Sequence, residues 1–209
     1  MILSTDELKY KFQQPLPGLV SHQKMSPPHR AKALLEIQEN RHLTRQSAVM
    51  VLLFPENKKL KIIFIKRSEY DGVHSGQIAF PGGKQENTDT DFEATALRET
   101  FEEIGVRADK IEIIGQLSDL FIPPSNFCVK VFVGYCDKKP SYILDKREVQ
   151  SAIEVDIEEL YNKNNISEKE FGSSSLGITI KAPYFNVNNI QIWGATAMIT
   201  SELLDVLKN

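Results

Sequence analysis

The chain has 209 residues, enough for one substantial core with extra segments at its ends. It is 41% hydrophobic and 25% charged, which argues against a disordered or fibrous chain. A formal net charge of −3 gives no basic footprint for nucleic acid, and no apolar run approaches the length of a membrane span.

Residues 1–30 are rich in proline and polar side chains (PLPG, SPPHR) and are expected to wrap the surface, ahead of a single domain over 31–209. The start, MILSTDELKYKF, has neither a basic n-region nor an apolar h-region, so no secretory signal is expected. Residues 31–40 carry Leu34, Leu35 and Ile37 in the pattern of a short helix. SAVMVLLF (47–54) is a near-continuous apolar run, hence a buried strand, and Pro55-Glu56-Asn57 turns it into a second strand, KIIFIKR (61–67). Arg67 and Ser68 fall at the end of that strand. Residues 77–80 lead into Pro81-Gly82-Gly83, read as a tight turn that brings bare backbone close to a ligand. A helix follows, with Thr90 as its N-cap and Glu93 completing a capping box. Leu97, Phe101 and Ile104, at i, i+4 and i+7, are its expected docking side. IEIIGQLSDL (111–120) and FCVKVFVGYC (127–136) read as strands joined by the loop Pro123-Pro124-Ser125-Asn126. SAIEVDI (151–157) alternates and leads into a short helix, EELYN. GSSSLG (172–177) is a flexible connection, two short strands are expected around 178–187, and residues 194–207 are helical. Cys128 and Cys136 share one strand face, too far apart to pair, which suits free thiols in a reducing, cytoplasmic setting. No internal repeat is present. Strands interleaved with helices predict an α/β fold with a sheet covered on both faces.

The chemistry concentrates in residues 76–106, GQIAFPGGKQENTDTDFEATALRETFEEIGV. Glu99, Glu102 and Glu103 lie at i, i+3 and i+4 and share one helical face. Like charges so close call for a counter-charge, and a hard divalent cation with a preference for oxygen supplies it. A solvated acidic face is the plainer alternative. Against it stand the helix's amphipathic pattern and its start signal beside a glycine pair.

This stretch resembles the Nudix box, G-x5-E-x7-R-E-U-x-E-E-x-G-U, where U is a bulky aliphatic residue. Arg98-Glu99, Glu102-Glu103, Gly105 and Val106 match. Thr100 stands where an aliphatic residue is usual. Counted from Gly83, the spacing to Arg98 is one residue longer than the pattern, so Asp89 or Asp91 must stand in for its first Glu. That spacing, in GGKQENTDTDFEATALRE, is similar to the coenzyme A diphosphatase branch of the Nudix hydrolases. So is the upstream IFIKRSEYDGVHSGQIAFPGG, in which Arg67, Ser68, Gly76, Phe80, Pro81, Gly82 and Gly83 match the branch signature. Ile65 replaces its Thr and Gly72 its second Arg; His74 partly compensates. The run Ile192-Trp193-Gly194-Ala195-Thr196-Ala197 also looks like that branch.

The resemblance implies a Nudix-type α/β/α sandwich with a central mixed β-sheet. It implies Mg²⁺- or Mn²⁺-dependent hydrolysis of the diphosphate bond of coenzyme A or an acyl-CoA. Glu99 and Glu103 become the principal metal ligands, Glu102 a further one, and the Gly83 carbonyl a candidate to complete the set. Gly82 supports the turn. Arg98 is either a brace for the loop through carboxylates or a surface pair with Glu102. Glu148 is the candidate general base, with Glu154 behind it; an exposed loop glutamate is the competing reading of Glu148. Arg67, His74 and Lys84 are the candidate phosphate ligands, Arg67 being the expected donor to a 3′-phosphate. His74 equally suits a structural loop role. Trp193 is expected to pack on the C-terminal helix rather than stack on adenine. The implied partner is a small molecule, not nucleic acid or membrane, with homodimerisation left open. ADP-ribose or a dinucleotide is the alternative substrate. A non-catalytic nucleotide sensor ranks last, because all three box carboxylates are present.

Overall fold

The longest apolar run becomes the middle of the sheet. In the computed structural model, which describes residues 4–28, 44–68, 76–173 and 178–208, that run is β1 (Arg45–Glu56). Its side chains alternate between two cores. Ala48, Met50, Leu52 and Phe54 point to one, Val51 and Leu53 to the other. Burial on both faces explains why the strand reads as a continuous hydrophobic stretch instead of an alternating one.

β1 pairs antiparallel with β2 (Lys59–Arg67) and parallel with β6 (Phe127–Tyr135), which pairs antiparallel with β5 (Glu112–Ile122). β2 also holds β7 (Val149–Asp156) and the two-residue β3 (Ile78–Ala79). β4 (Gly82–Lys84) pairs with β1 at Ser47, Ala48 and Val49. The result is a mixed seven-stranded sheet in the order β3-β2-β1-β6-β5, with β4 on β1 and β7 on β2. The glycine pair expected as a turn is therefore an edge strand. Its bare backbone still does what the sequence suggested, because a Cβ on Gly82 would lie 2.4 Å from the Ala48 carbonyl oxygen.

Numbering helices in chain order, α1 is Thr5–Phe12 and α2 Leu19–Lys24. The acidic helix α3 spans Phe92–Ile104, the short α4 Ile157–Tyr161, and α5 Gly194–Lys208. α3 packs on the Met50–Phe132 core and α5 on the opposite one. The α/β sandwich expected from the sequence is thus present. A second antiparallel sheet, β10-β9-β8, lies on the α5 side. It comprises β8 (Ile166–Ser173), β9 (Ile178–Val187) and β10 (Ile190–Trp193). The two short strands expected around 178–187 are instead the one strand β9, and β8 carries no strong hydrophobic alternation to announce it. Residues 31–40 and most of 172–177 lie outside the described residues.

The N-terminal segment does more than cover the surface. Ser4 and Glu7 form a reciprocal capping box that starts α1. Leu8 and Met25 are fully buried, and Phe12 packs where any side chain on Gly115 would sit. Buried His22 lies 2.8 Å from Glu202 of α5, whose carboxylate also accepts from Gly18 N–H and from the Ser118 hydroxyl of β5. No helix among the described residues is long and apolar enough to cross a membrane.

Candidate functional site

α3 begins one residue later than the sequence suggested. Asp91, not Thr90, is its N-cap, accepting from Ala94 N–H at 2.8 Å, and no capping box forms because the reciprocating position is Ala94. The docked face is also rotated. Thr95, Ala96, Thr100, Glu103 and Ile104 are buried, whereas Phe101 is 52% exposed. Thr100, the departure from the aliphatic position, is accommodated by giving its hydroxyl to the Ala96 carbonyl at 2.6 Å. One of the three carboxylates therefore belongs to the packed face: Glu103 is 1% exposed.

Each carboxylate has a distinct environment. Glu103 accepts from Gly82 N–H at 2.9 Å, and its other oxygen is 3.6 Å from the Arg67 guanidinium. Burial raises its pKa to about 8, against the opposing pull of Gly82 N–H and Arg67; the neighbouring charges of Glu99 and Glu148 add to the rise. Glu99 lies against β4, where a Cβ on Gly83 would be 2.3 Å from its Oε1. Burial raises the Glu99 pKa too, with Arg98 opposing and Glu102 and Glu148 reinforcing. Glu102 is exposed and held by Arg98 at 2.8 Å.

Arg98 joins the helix to the loop before it. It donates to both oxygens of Asp89 (2.9 and 3.1 Å), to the Lys84 carbonyl (3.1 Å), to Glu99 (3.0 Å) and to Glu102 (2.8 Å). The brace and the surface pair are both present, and Arg98 faces the carboxylates. Of the two acids expected as substitutes for the first Glu of the box, Asp89 is the one that meets Arg98, and Asp91 is occupied with capping. The Arg98 guanidinium holds the Asp89 carboxyl down at about 2, helped by Glu86 N–H and the Thr95 hydroxyl.

The far end of α3 positions the rest. Gly105 adopts φ 74° at the C-cap, and the orphan carbonyls of Glu103 and Ile104 accept from Asp145 N–H (3.1 Å) and Ile143 N–H (2.9 Å). The loop before β7 is thereby fastened to the acidic helix. It carries Glu148, exposed, with its charge felt at both Glu99 and Glu103. The same loop fixes the end of β2: Ser68 N–H donates to the Glu148 carbonyl at 2.8 Å and the Ser68 hydroxyl to the Lys146 carbonyl at 3.2 Å. Arg67 follows a register shift in the β2–β7 pairing and points at Glu103, with its Nε buried and unbonded.

Of the other expected residues, Lys84 is exposed on β4, beside Gly83. Glu154 is engaged elsewhere, by Lys139 (2.8 Å) and the Tyr142 hydroxyl (3.0 Å), so it does not stand behind Glu148. Trp193 stacks on Phe171 at 4.3 Å with the rings 8° from parallel, within the small sheet. Neither Cys128 nor Cys136 is in a disulfide, and burial pushes the Cys136 thiol up to about 12. His74 lies outside the described residues.

The donor set suits a hard cation. It consists of carboxylate oxygens beside a backbone edge that only glycine leaves open. Among the described residues no three acidic, imidazole or thiol groups already converge as ligands, and Arg98 holds Glu99 and Glu102 to one side. Glu99 and Glu103 are placed where they could hold an ion, and Glu102 could join on leaving Arg98.

The family model described as "NUDIX domain" matches residues 44–173, which include β1–β8, α3 and α4 and leave out α1, α2, β9, β10 and α5. Nudix hydrolase 3 of Caenorhabditis elegans is 29% identical over 174 residues, covering 77% of this chain and 72% of its own. A protein named "Uncharacterized Nudix hydrolase NudL" from Klebsiella pneumoniae is 30% identical over 176 residues, 81% of this chain and 88% of its own. Among solved structures, the Nudix hydrolase RenU of M. smegmatis superposes with a TM-score of 0.56 at 14% identity, over 79% of this chain and 86% of that one. The MutT protein of Methanosarcina mazei Go1 gives a TM-score of 0.51 at 20% identity, over 79% and 95%. At these identities the structures establish likeness of fold alone.

Proposed function

The chain belongs to the Nudix family, a hydrolase of pyrophosphate bonds, and from that footing we propose that it is a coenzyme A diphosphatase. It cleaves coenzyme A or an acyl-CoA to 3′,5′-ADP and (acyl-)4′-phosphopantetheine. The observation that carries the reading is the loop between β4 and α3. Its extra residue is the feature shared with the coenzyme A branch, and it is built so that Asp89 meets Arg98 while Gly83 abuts Glu99. The Arg67-Ser68 to Gly83 signature supports the same branch. Gly72, in place of a signature Arg, keeps ADP-ribose or a dinucleotide as the second reading.

Nudix hydrolases need a divalent metal ion, and we assign Mg²⁺ or Mn²⁺ to Glu99, Glu103 and Glu102 with the Gly83 carbonyl. When bound, the ion supplies charge neutralisation for the diphosphate and acidifies water. The chain's own residues do the remainder. Water attacks one phosphorus in line, the bond to the bridging oxygen breaks, and the other phosphate leaves with that oxygen. Glu148, exposed on a loop anchored to α3, accepts the proton of the attacking water. Arg67 and Lys84 bind non-bridging phosphate oxygens of the diphosphate, and His74 is assigned with them. Arg98 and Gly82 keep the loop and the carboxylates in place. Two cysteines outside any disulfide fit a cytoplasmic enzyme.

A turnover panel tests this: coenzyme A, an acyl-CoA, ADP-ribose and NADH, each with Mg²⁺ and with Mn²⁺. Coenzyme A should show the highest kcat/KM, and Glu99→Gln or Glu103→Gln should lower kcat at least about a hundredfold. Equal or better efficiency on ADP-ribose would move the assignment to the second reading. Near-normal turnover in the folded glutamine variants would remove the site.

A further inference from the structure

We propose that Asp145 is the positioning residue for Glu148, fixing the turn that carries the candidate base to the end of the acidic helix. The proposal rests on the preceding reading for the role of Glu148 and adds what sets its place.

Glu148 is exposed, yet its charge reaches both Glu99 and Glu103. A side chain on the surface keeps such a position only if the backbone beneath it is held. Asp145–Glu148 form a turn that does this. The Asp145 carbonyl accepts from Glu148 N–H at 3.1 Å and from Val149 N–H at 2.8 Å. Val149 is fully buried at the start of β7, so the far end of the turn is seated in the core.

The Asp145 side chain closes the turn from within. Its Oδ1 accepts from Arg147 N–H, two residues on, at 2.9 Å, the bond of an Asx-turn. The same carboxylate takes the Arg147 guanidinium through both oxygens, with Nε at 3.0 Å from Oδ1 and 3.1 Å from Oδ2. The Asp145 N–H donates to the Glu103 carbonyl at 3.1 Å. One residue thus bonds the end of α3, the middle of the turn and the backbone of Glu148. β2 holds the other side. Ser68 gives its N–H to the Glu148 carbonyl at 2.8 Å and its hydroxyl to the Lys146 carbonyl at 3.2 Å. Glu148 is therefore tied through its N–H to Asp145 and through its carbonyl to Ser68.

A carboxylate does more here than a neutral acceptor would. Arg147 adjoins Glu148 in sequence, and a cation paired with the base would blunt it. Asp145 engages that cation with a two-oxygen, charge-assisted grip, so Arg147 is paired away from Glu148. Asparagine keeps an oxygen for the Asx-turn and loses the charge. Alanine loses both.

The test uses the diphosphate that the wild type turns over fastest. Kinetics compare the wild type, Asp145→Ala, Asp145→Asn, Glu148→Gln and the double variant Asp145→Ala/Glu148→Gln, and hydrogen exchange reads the amides of residues 143–149 in the metal-free proteins. Asp145→Ala should lower kcat about tenfold and leave KM within about twofold, with Asp145→Asn between it and the wild type. In the Glu148→Gln background the further loss should shrink to about twofold or less, because both changes act on one group. Exchange at Glu148 and Val149 should quicken at least about tenfold in Asp145→Ala. A full tenfold further loss in the Glu148→Gln background, or a raised KM with kcat kept, overturns the proposal. So does unchanged exchange, whatever the kinetics. If Glu148→Gln alone keeps near-normal turnover, the reading of Glu148 as base fails, and the exchange arm still decides whether Asp145 fixes its place. Should the alanine variant fail to fold, Asp145→Asn carries the same comparisons.

Discussion

Glu103→Gln in the metal-free protein separates the cost of the buried acid from its use. Glu103 is 1% exposed, and burial lifts its pKa from the ordinary 4.5 to about 8. A raised folded-state value means that the folded chain holds the proton more tightly than the unfolded one. The stability linked to this proton is fully present below pH 4.5 and is lost as pH rises through about 8. Each tenfold difference in proton affinity is about 1.4 kcal/mol, so the loss has a ceiling of about 5 kcal/mol. Water entry and side-chain relaxation would bring it to about 2 kcal/mol. The glutamine amide is neutral throughout and can still accept from Gly82 N–H through its oxygen. Urea unfolding in chelator at pH 5, 7 and 9 should give similar stabilities for wild type and variant at pH 5, with the variant ahead by about 2 kcal/mol at pH 9. Adding Mg²⁺ at pH 9 should restore the wild type and leave the variant unmoved. Parallel pH profiles in chelator, or a variant less stable at pH 9, would refute the claim that an ionised Glu103 lacks a sufficient counter-charge in the protein alone.

Other substitutions probe the scaffold around it. Gly83→Ala places a Cβ 2.3 Å from Glu99 Oε1, so kcat should drop at least tenfold with little change in far-ultraviolet circular dichroism. Asp91→Ala should cost about 1 kcal/mol in a denaturant melt and Thr90→Ala only a few tenths, because Asp91 caps α3. Asp89→Asn keeps the shape but weakens the grip on Arg98; kcat should fall about tenfold and the apparent metal affinity with it, read from a metal titration of activity.

The central strands were legible because burial on both faces leaves continuous apolar runs, as at 47–54 and 61–67. β8 was not, because ISEKEFGS presents charged side chains to solvent and borrows its order from pairing with β9. The glycine pair misled for a related reason. Pro-Gly-Gly carries the local signature of a turn, yet β1 offers an open edge at Ser47–Val49, and three ladder pairings outweigh the local preference. Thr90 and Asp91 are both good caps, and a choice between neighbouring caps turns on tertiary contacts. Here Asp89 is drawn to Arg98, which leaves Asp91 at the helix start.

The three glutamates were legible as a group, but their separate roles were not. Spacing places Glu99, Glu102 and Glu103 on one side of a helix; it cannot say how that side is rotated against the sheet. The rotation is set by small residues. Ala96 and Thr100 let α3 approach β1 closely, Thr100 returning its hydroxyl to the helix so that no polar group is left unpaired in the contact. That close approach draws Glu103 into the packed face, where Gly82 N–H and Arg67 receive it, and leaves Phe101, a larger apolar residue, in solvent. A hydrophobic count favours the reverse orientation. The observed one gives up the burial of a phenylalanine, about 2 kcal/mol, and accepts a confined acid as well. The return is three carboxylates graded from buried to exposed, two of them against β4, the arrangement that the proposed cation and diphosphate would use.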